Sequence, residues 1–255
     1  MIPAPSDDRS GLRRIKDYVH ARLGANISFP LPLGHTRFIK AVFEPTNLAL
    51  YEQLLAPGMR MPRTPRVQLE FLEATPGWRE ASFNLACRYG DQEGWLGLYW
   101  PIDSYLGYKL GRLVGYPKHL AQAMIFESDA HGAHAQVVHR GRTELALDFT
   151  RGSSASPTSQ ALAADIVGPE RERPHFLQVP PGRGTSINRL TFHETKPLVT
   201  EFELGTVSLR VDVDAAWTAL LPKDGMLESA KLIERTGRGF GWLIAKRVST
   251  DASMN

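Results

Sequence analysis

Short runs of strict two-residue alternation, separated by turn formers, narrow what this chain can fold into more than any other feature. Val67, Leu69 and Phe71 alternate with Gln68, Glu70 and Leu72, and Ala81, Phe83, Leu85 and Cys87 recur at every second position between Glu80 and Arg88. Val207, Leu209, Val211 and Val213 repeat the pattern nearer the C-terminus. Successive side chains of a strand point to opposite faces, so each run offers one apolar face to a core, and Glu70 falls on the other. Strand-like runs also cover Thr36 to Phe43, Gly94 to Trp100, Met124 to Ser128, His134 to His139, Thr143 to Phe149, Thr185 to His193, Val199 to Leu204 and Phe240 to Val248. Pro76-Gly77, Asp129-Ala130-His131-Gly132 and Arg140-Gly141-Arg142 supply turns between them. Many short strands and few helices imply a largely antiparallel β protein, a barrel or a pair of packed sheets in one domain.

Helical spacing is confined to short stretches. Leu12, Ile15, Val19 and Leu23 make an amphipathic helix between Ser10 and Gly24, and Asn47 to Leu55 is a second, stopped by Pro57-Gly58. Ser159 to Ile166, Ala215 to Leu220 and Leu227 to Glu234 also read as helical, and Pro101 to Gly111 as an irregular connection. Arg151 to Pro157 is the expected exposed link. The expected division is a helical, Pro-rich lead-in over residues 1–33, one domain over 34–248 and a tail over 249–255.

Charge and cysteine content remove several function classes. Thirty Lys and Arg against 27 Asp and Glu leave a net charge of only +3. The one basic concentration, Arg9, Arg13, Arg14 and Lys16, is interleaved with Asp7, Asp8 and Asp17, which describes a solvated helix face. No nucleic-acid partner is expected. The single Cys87, inside an apolar run, excludes an intrachain disulfide and suits a reducing compartment. With no apolar run approaching the length of a membrane span and no leader-like start, the expectation is a cytoplasmic, soluble protein with no membrane partner.

The stretch with chemical content is Gly115-Tyr116-Pro117-Lys118-His119-Leu120. Pro117 locks its own φ and biases Tyr116 toward extended backbone, so Lys118 is aimed in a fixed direction. A lysine becomes a nucleophile at neutral pH when burial disfavours its ammonium form. Taken alone, these six residues describe a surface lysine after a turn just as well. His131, His134 and His139 have cluster-like spacing, but His134 and His139 fall on opposite strand faces and no carboxylate set completes a metal site. Gly237-Arg238-Gly239-Phe240-Gly241 precedes a strand, whereas a dinucleotide fingerprint follows one, so it reads as a turn. Neither a cofactor nor a metal is expected.

The stretches His35-Thr36-Arg37, Val67-Gln68-Leu69-Glu70-Phe71, Arg79-Glu80-Ala81-Ser82, Gly111-Arg112 with the lysine segment, and Arg173-Pro174-His175-Phe176-Leu177 occur in an order and spacing that resembles the acetoacetate decarboxylase family. The resemblance covers roughly Gly34 to Val248. It implies a mainly β (α+β) single domain, an antiparallel β-barrel or cone-like sheet with a few short flanking helices, assembled as a homo-oligomer. It further implies that Lys118 forms a Schiff base with a small keto acid, that Arg37, Glu70 and Glu80 line the pocket, and that Tyr116 and His119 lie against the substrate. Acetoacetate decarboxylase is itself a standard instance of a lysine activated by desolvation or by a neighbouring cation.

Two departures stand out. His119 occupies the position where the family's decarboxylases usually carry a second lysine, and Leu113 and Val114 follow Arg112 where they place an acidic residue. Adjacent side chains of an extended segment point apart, so desolvation is the expected activating effect at Lys118. In this reading Glu80 transfers protons and orients the adduct, while Glu70 and Arg37 pair to position it or to engage the substrate carboxylate. Acetoacetate-type decarboxylation is the leading expectation. An aldolase-dehydratase joining pyruvate to an aldehyde in the same pocket is the second, and a non-catalytic small-molecule-binding protein the third.

Overall fold

The alternating runs pair edge to edge into a single fifteen-stranded sheet. The computed structural model describes residues 27–74, 77–152, 174–179, 186–194, 199–236 and 239–248. The strands are β1 (Ile27–Leu33), β2 (Thr36–Phe43), β3 (Met59–Arg60), β4 (Val67–Ala74), β5 (Trp78–Tyr89), β6 (Gln92–Ile102), β7 (Lys118–Leu120), β8 (Ala123–Ser128), β9 (Gly132–His139) and β10 (Arg142–Arg151). They continue as β11 (His175–Val179), β12 (Ser186–Glu194), β13 (Val199–Val211), β14 (Met226–Thr236) and β15 (Gly239–Val248). Helices α1 (Leu48–Leu54) and α2 (Tyr105–Val114) and a 3-10 turn at Ala216–Leu220 complete the described elements. None of these helices is long and apolar enough to cross a membrane.

The sheet runs β1-β15-β12-β11-β6-β5-β4-β2-β14-β13-β10-β9-β8, with β3 beside β5 and β7 beside β6. This corrects the expected antiparallel barrel in two ways. The sheet does not close, since β1 and β8 are the two ends of the path. It is also mixed, because β6 runs parallel to both β7 and β11. The parallel pair β6–β7 has a simple cause: α2 stands between the two strands, and a helical crossover returns the chain in its original direction.

Local chemistry explains the helices. Asn47 caps α1, its side chain accepting from Leu50 N at 3.0 Å, and Ser104 caps α2 by accepting from Gly107 N at 3.1 Å. Helix α2 replaces the irregular connection expected at Pro101 to Gly111, where two glycines and a proline conceal the pattern. Gly115, at φ 114°, ends it in the left-handed conformation that glycine adopts without strain. A second correction is Leu227 to Glu234, expected as a helix and found inside β14. Leu227, Ala230, Lys231, Leu232 and Ile233 are all buried there, because β14 lies between β2 and β13 and is covered on both faces. Such a run carries no two-residue signal. The expected helices at Ser10 to Gly24 and Ser159 to Ile166 lie outside the described residues.

The sheet's alternation sorts the central strands into two faces. Ile39 and Ala41 of β2, Leu69 and Phe71 of β4, and Phe83 and Leu85 of β5 belong to the main apolar core. The opposite face of the same strands carries Lys40, Gln68, Glu70, Glu80, Ser82 and Asn84. A smaller core of Trp100, Val114, Tyr116, Leu177, Leu190 and Ala245 packs around the lysine segment.

Candidate active site

Lys118 is fixed from its backbone outward. Residues Lys118 to Leu120 pair in parallel with Trp100 to Ile102, and Lys118 O accepts from Arg112 Nη1 at 3.1 Å. Val114 O, at the end of α2, accepts from the buried Asn188 Nδ2 at 3.0 Å, which ties the helix end to β12. The stem of Lys118 lies against Gly111: a Cβ at 111 would sit 2.6 Å from Lys118 Cε and closer still to Cδ. Only a residue without a side chain leaves this path open.

The lysine is buried at 8% exposure and its Nζ lies 2.6 Å from Glu80 Oε2. The rings of Tyr116 and Trp100 flank the ammonium at 5.4 and 5.8 Å from their centroids. One strand over, Glu70 stands directly opposite Ser82 and accepts from Lys40 Nζ at 2.8 Å. Gln68 Nε2 approaches the same Glu70 oxygen at 3.4 Å. The site therefore holds two lysine–glutamate pairs on one face of β2, β4, β5 and β7.

Two further groups bring these pairs into a single electrostatic environment. Burial pushes the Tyr116 hydroxyl well above its usual range, and Glu80 and Glu70 add to the effect, so it remains a protonated donor. The His175 imidazole is pushed down to about 4, chiefly by burial, with Lys40 and Lys118 adding and Glu70 opposing. It is neutral at pH 7. His175 sits 5.4 Å from Trp100 and 5.7 Å from Tyr116, ring to ring. His175 Nδ1, Trp100 Nε1 and Asn84 Oδ1 are buried with no hydrogen-bond partner within the chain. Buried polar atoms of this kind are costly unless something bonds them.

Two expected site residues are elsewhere. Arg37 occupies the face with Ile39 and Ala41, where it is paired with Glu73, its Nη1 donates to Ser128 Oγ at 2.7 Å, and its guanidinium lies 4.7 Å from the Phe126 ring centroid. The expected Arg37–Glu70 pair is not formed. Register gives the reason: Arg37 stands opposite Glu73, whereas Lys40 stands opposite Glu70. Lys40 is the residue that sequence reasoning missed, although it differs from Arg37 by an odd number of positions and so had to share the face of Glu70. His119 likewise points away from Lys118, with its ring 5.0 Å from Tyr99 and its Nε2 3.4 Å from Glu144 Oε2. Burial pushes the His119 imidazole down, and Glu144 opposes that shift. Tyr99 donates to Glu144 at 2.8 Å and His139 lies 5.9 Å from His119, ring to ring.

The other candidates are spread out. His134 pairs with Asp148 at 2.6 Å on an exposed part of the sheet, while His139 Nδ1 meets Leu120 O at 3.1 Å. Cys87 is fully buried and its thiol is pushed up to about 12 by desolvation, so it is not a nucleophile. An open groove of about 390 Å³, lined by Gln92, Arg189, Thr191 and Lys246 among others, lies across β12 from Asn188 and Leu190 and contains none of the residues around Lys118.

Residues 21–243 match the family model described as acetoacetate decarboxylase. Among solved structures, the acetoacetate decarboxylase of Legionella pneumophila superposes with a TM-score of 0.60 at 14% identity, over 88% of this chain and 88% of that one. The acetoacetate decarboxylase-like enzyme from Sphingomonas wittichii gives 0.56 at 16% identity, over 88% and 94%. The enduracididine biosynthesis enzyme MppR complexed with pyruvate gives 0.57 at 14% identity, over 87% and 91%. These likenesses establish the fold. No curated protein matches the chain by sequence at a significant level.

Proposed function

The chain belongs to the acetoacetate decarboxylase family, and on that premise we propose that it is a lyase forming a Schiff base with a small keto acid through Lys118, its reaction being decarboxylation of acetoacetate type. The observation that carries the reading is the buried Lys118 Nζ with Glu80 Oε2 at 2.6 Å. An amine attacks a ketone only after losing a proton, and Glu80 is an acceptor in contact with it.

The freed amine adds to the carbonyl carbon. The proton taken by Glu80 leaves with the carbinolamine oxygen as water, giving an iminium. In a β-keto acid the bond between the α carbon and the carboxylate then breaks, and its electron pair passes into the iminium. Carbon dioxide departs and an enamine remains. A second proton, drawn from solvent through Glu80, adds to the α carbon, and water releases the product and Lys118. Tyr116, a protonated donor, orients the substrate oxygen, and Glu70 with Lys40 sets the charge beside the adduct.

The same lysine and carboxylate also serve a second reading, in which Glu80 removes a methyl proton from a pyruvate iminium and the enamine attacks an aldehyde. The fold shared with an enzyme solved in complex with pyruvate favours keeping it. Carbon dioxide released from acetoacetate, measured beside condensation product formed from pyruvate and imidazole 4-carboxaldehyde, separates the two. Decarboxylation that disappears in Lys118→Met supports the first reading. Condensation without decarboxylation replaces it with the second, and neither reaction leaves a binding protein.

A further inference from the structure

Lys231 of β14 is buried at 3% exposure, and its ammonium lies 4.2 Å from the centroid of the Phe202 ring. Among the described residues no carboxylate pairs with it. Burial is the only influence on its titration, which it pushes down to about 8. A buried ammonium without a counter-charge is costly, and methionine or leucine would fill the same volume without the cost. Stability does not account for this lysine.

The register shows what surrounds it. Lys231 stands directly opposite Lys40, Lys40 opposite Glu70, and Glu70 opposite Ser82. One row of same-face side chains thus crosses β14, β2, β4 and β5, and reaches the strand that carries Glu80. Like charges directly opposite on neighbouring strands repel. Lys118 is balanced by Glu80 and Lys40 by Glu70, so the excess positive charge of the row is on Lys231.

Resting on the Schiff-base reading above, we infer that Lys231 and Lys40 form a subsite for a second carboxylate, at the far end of a keto acid whose carbonyl reaches Lys118. The outer strands of the row are three spacings apart, about 14 Å. Acetoacetate has no group to place at the far end. A keto diacid has one, and its distal carboxylate supplies the anion that Lys231 lacks, sharing Lys40 with Glu70.

The test compares acetoacetate with 3-oxoadipate, using borohydride trapping to find the concentration that labels half of the full-length protein. Wild type traps 3-oxoadipate at the lower concentration, and Lys231→Met reduces that preference at least tenfold, as expected for loss of one hydrogen bond to a charged group. Lys231→Arg retains it. Without ligand, Lys231→Met melts at or above the wild-type temperature, because an unpaired buried charge has gone; a lysine kept for structure would give the opposite result. Calorimetry with adipate, which has no ketone, reads the subsite independently of the imine. Adipate binding that is lost in Lys231→Met supports the subsite even if no acid is trapped, an outcome that would overturn only the Schiff-base reading. Equal preference for the two keto acids, or adipate binding that is absent or unaffected by Lys231→Met, overturns the subsite.

Discussion

Gly111 and Lys118 compete for one volume: the lysine stem lies where a side chain at 111 would be, 2.6 Å from Cε to an ideal Cβ. Helix propensity favours Gly111→Ala by about 1 kcal/mol. Overpacking against a fixed stem costs about 1–3 kcal/mol and dominates. Gly111→Ala is therefore expected to be destabilised on balance and to lose most of its reactivity toward keto acids, because the lysine must shift away from Glu80. Chemical denaturation and trapping rates check the two effects separately; a variant that is more stable and equally reactive would contradict the packing argument.

Glu80→Gln keeps a side chain of the same shape beside Lys118 and removes the proton acceptor. Turnover is expected to fall by about 10²–10⁴, the usual contribution of a general acid–base group. Steady-state kinetics across pH reads this directly. Wild-type rates in the variant would remove Glu80 from the chemistry.

Lys40, rather than Arg37, is the cation of Glu70, at 2.8 Å. A double-mutant cycle between Lys40→Met and Glu70→Gln should give a coupling of about 1–3 kcal/mol, as for a partly buried charge pair. The cycle between Arg37→Met and Glu70→Gln should give almost none, since Arg37 faces the other side of the sheet with Glu73. The reverse order of couplings would mean that the register of β2 and β4 is wrong.

His175 makes stability depend on pH. Its folded value, about 4, lies below the ordinary 6.5. Between those values the unfolded chain binds the extra proton, so the contribution is fully present above about pH 6.5 and is lost as pH falls through about 4. The size is at most on the order of 3 kcal/mol, reduced by screening at the part of the ring that solvent reaches. Urea unfolding between pH 4 and 7 should show a stability loss in wild type that is smaller in His175→Leu. An identical loss in both would place the acid sensitivity elsewhere.

The alternating strands were legible because their outer residues touch one apolar core, and the parity that put Glu70 opposite Phe71 is the parity seen. Lys118 was legible through Pro117 and its neighbours. Lys40 was not, because residues that meet across strands depend on register, and no local pattern signals that Arg37 meets Glu73. His119 could be placed by the alternation within an extended segment, yet the resemblance drew it toward the substrate. Helix α2 was hidden by Gly107 and Gly111, the latter a glycine demanded by the lysine and not by the helix. Strand β14 was hidden because Lys231 and Leu232, adjacent in sequence, are buried on opposite faces.

The central claim is that Lys118 forms the imine. Intact-protein mass spectrometry after borohydride reduction with acetoacetate, pyruvate and 3-oxoadipate, followed by peptide mapping, tests it most directly. The account predicts a single increment on the peptide carrying Lys118, absent from Lys118→Met. No increment with any of the acids, or one that maps to another lysine, would contradict it.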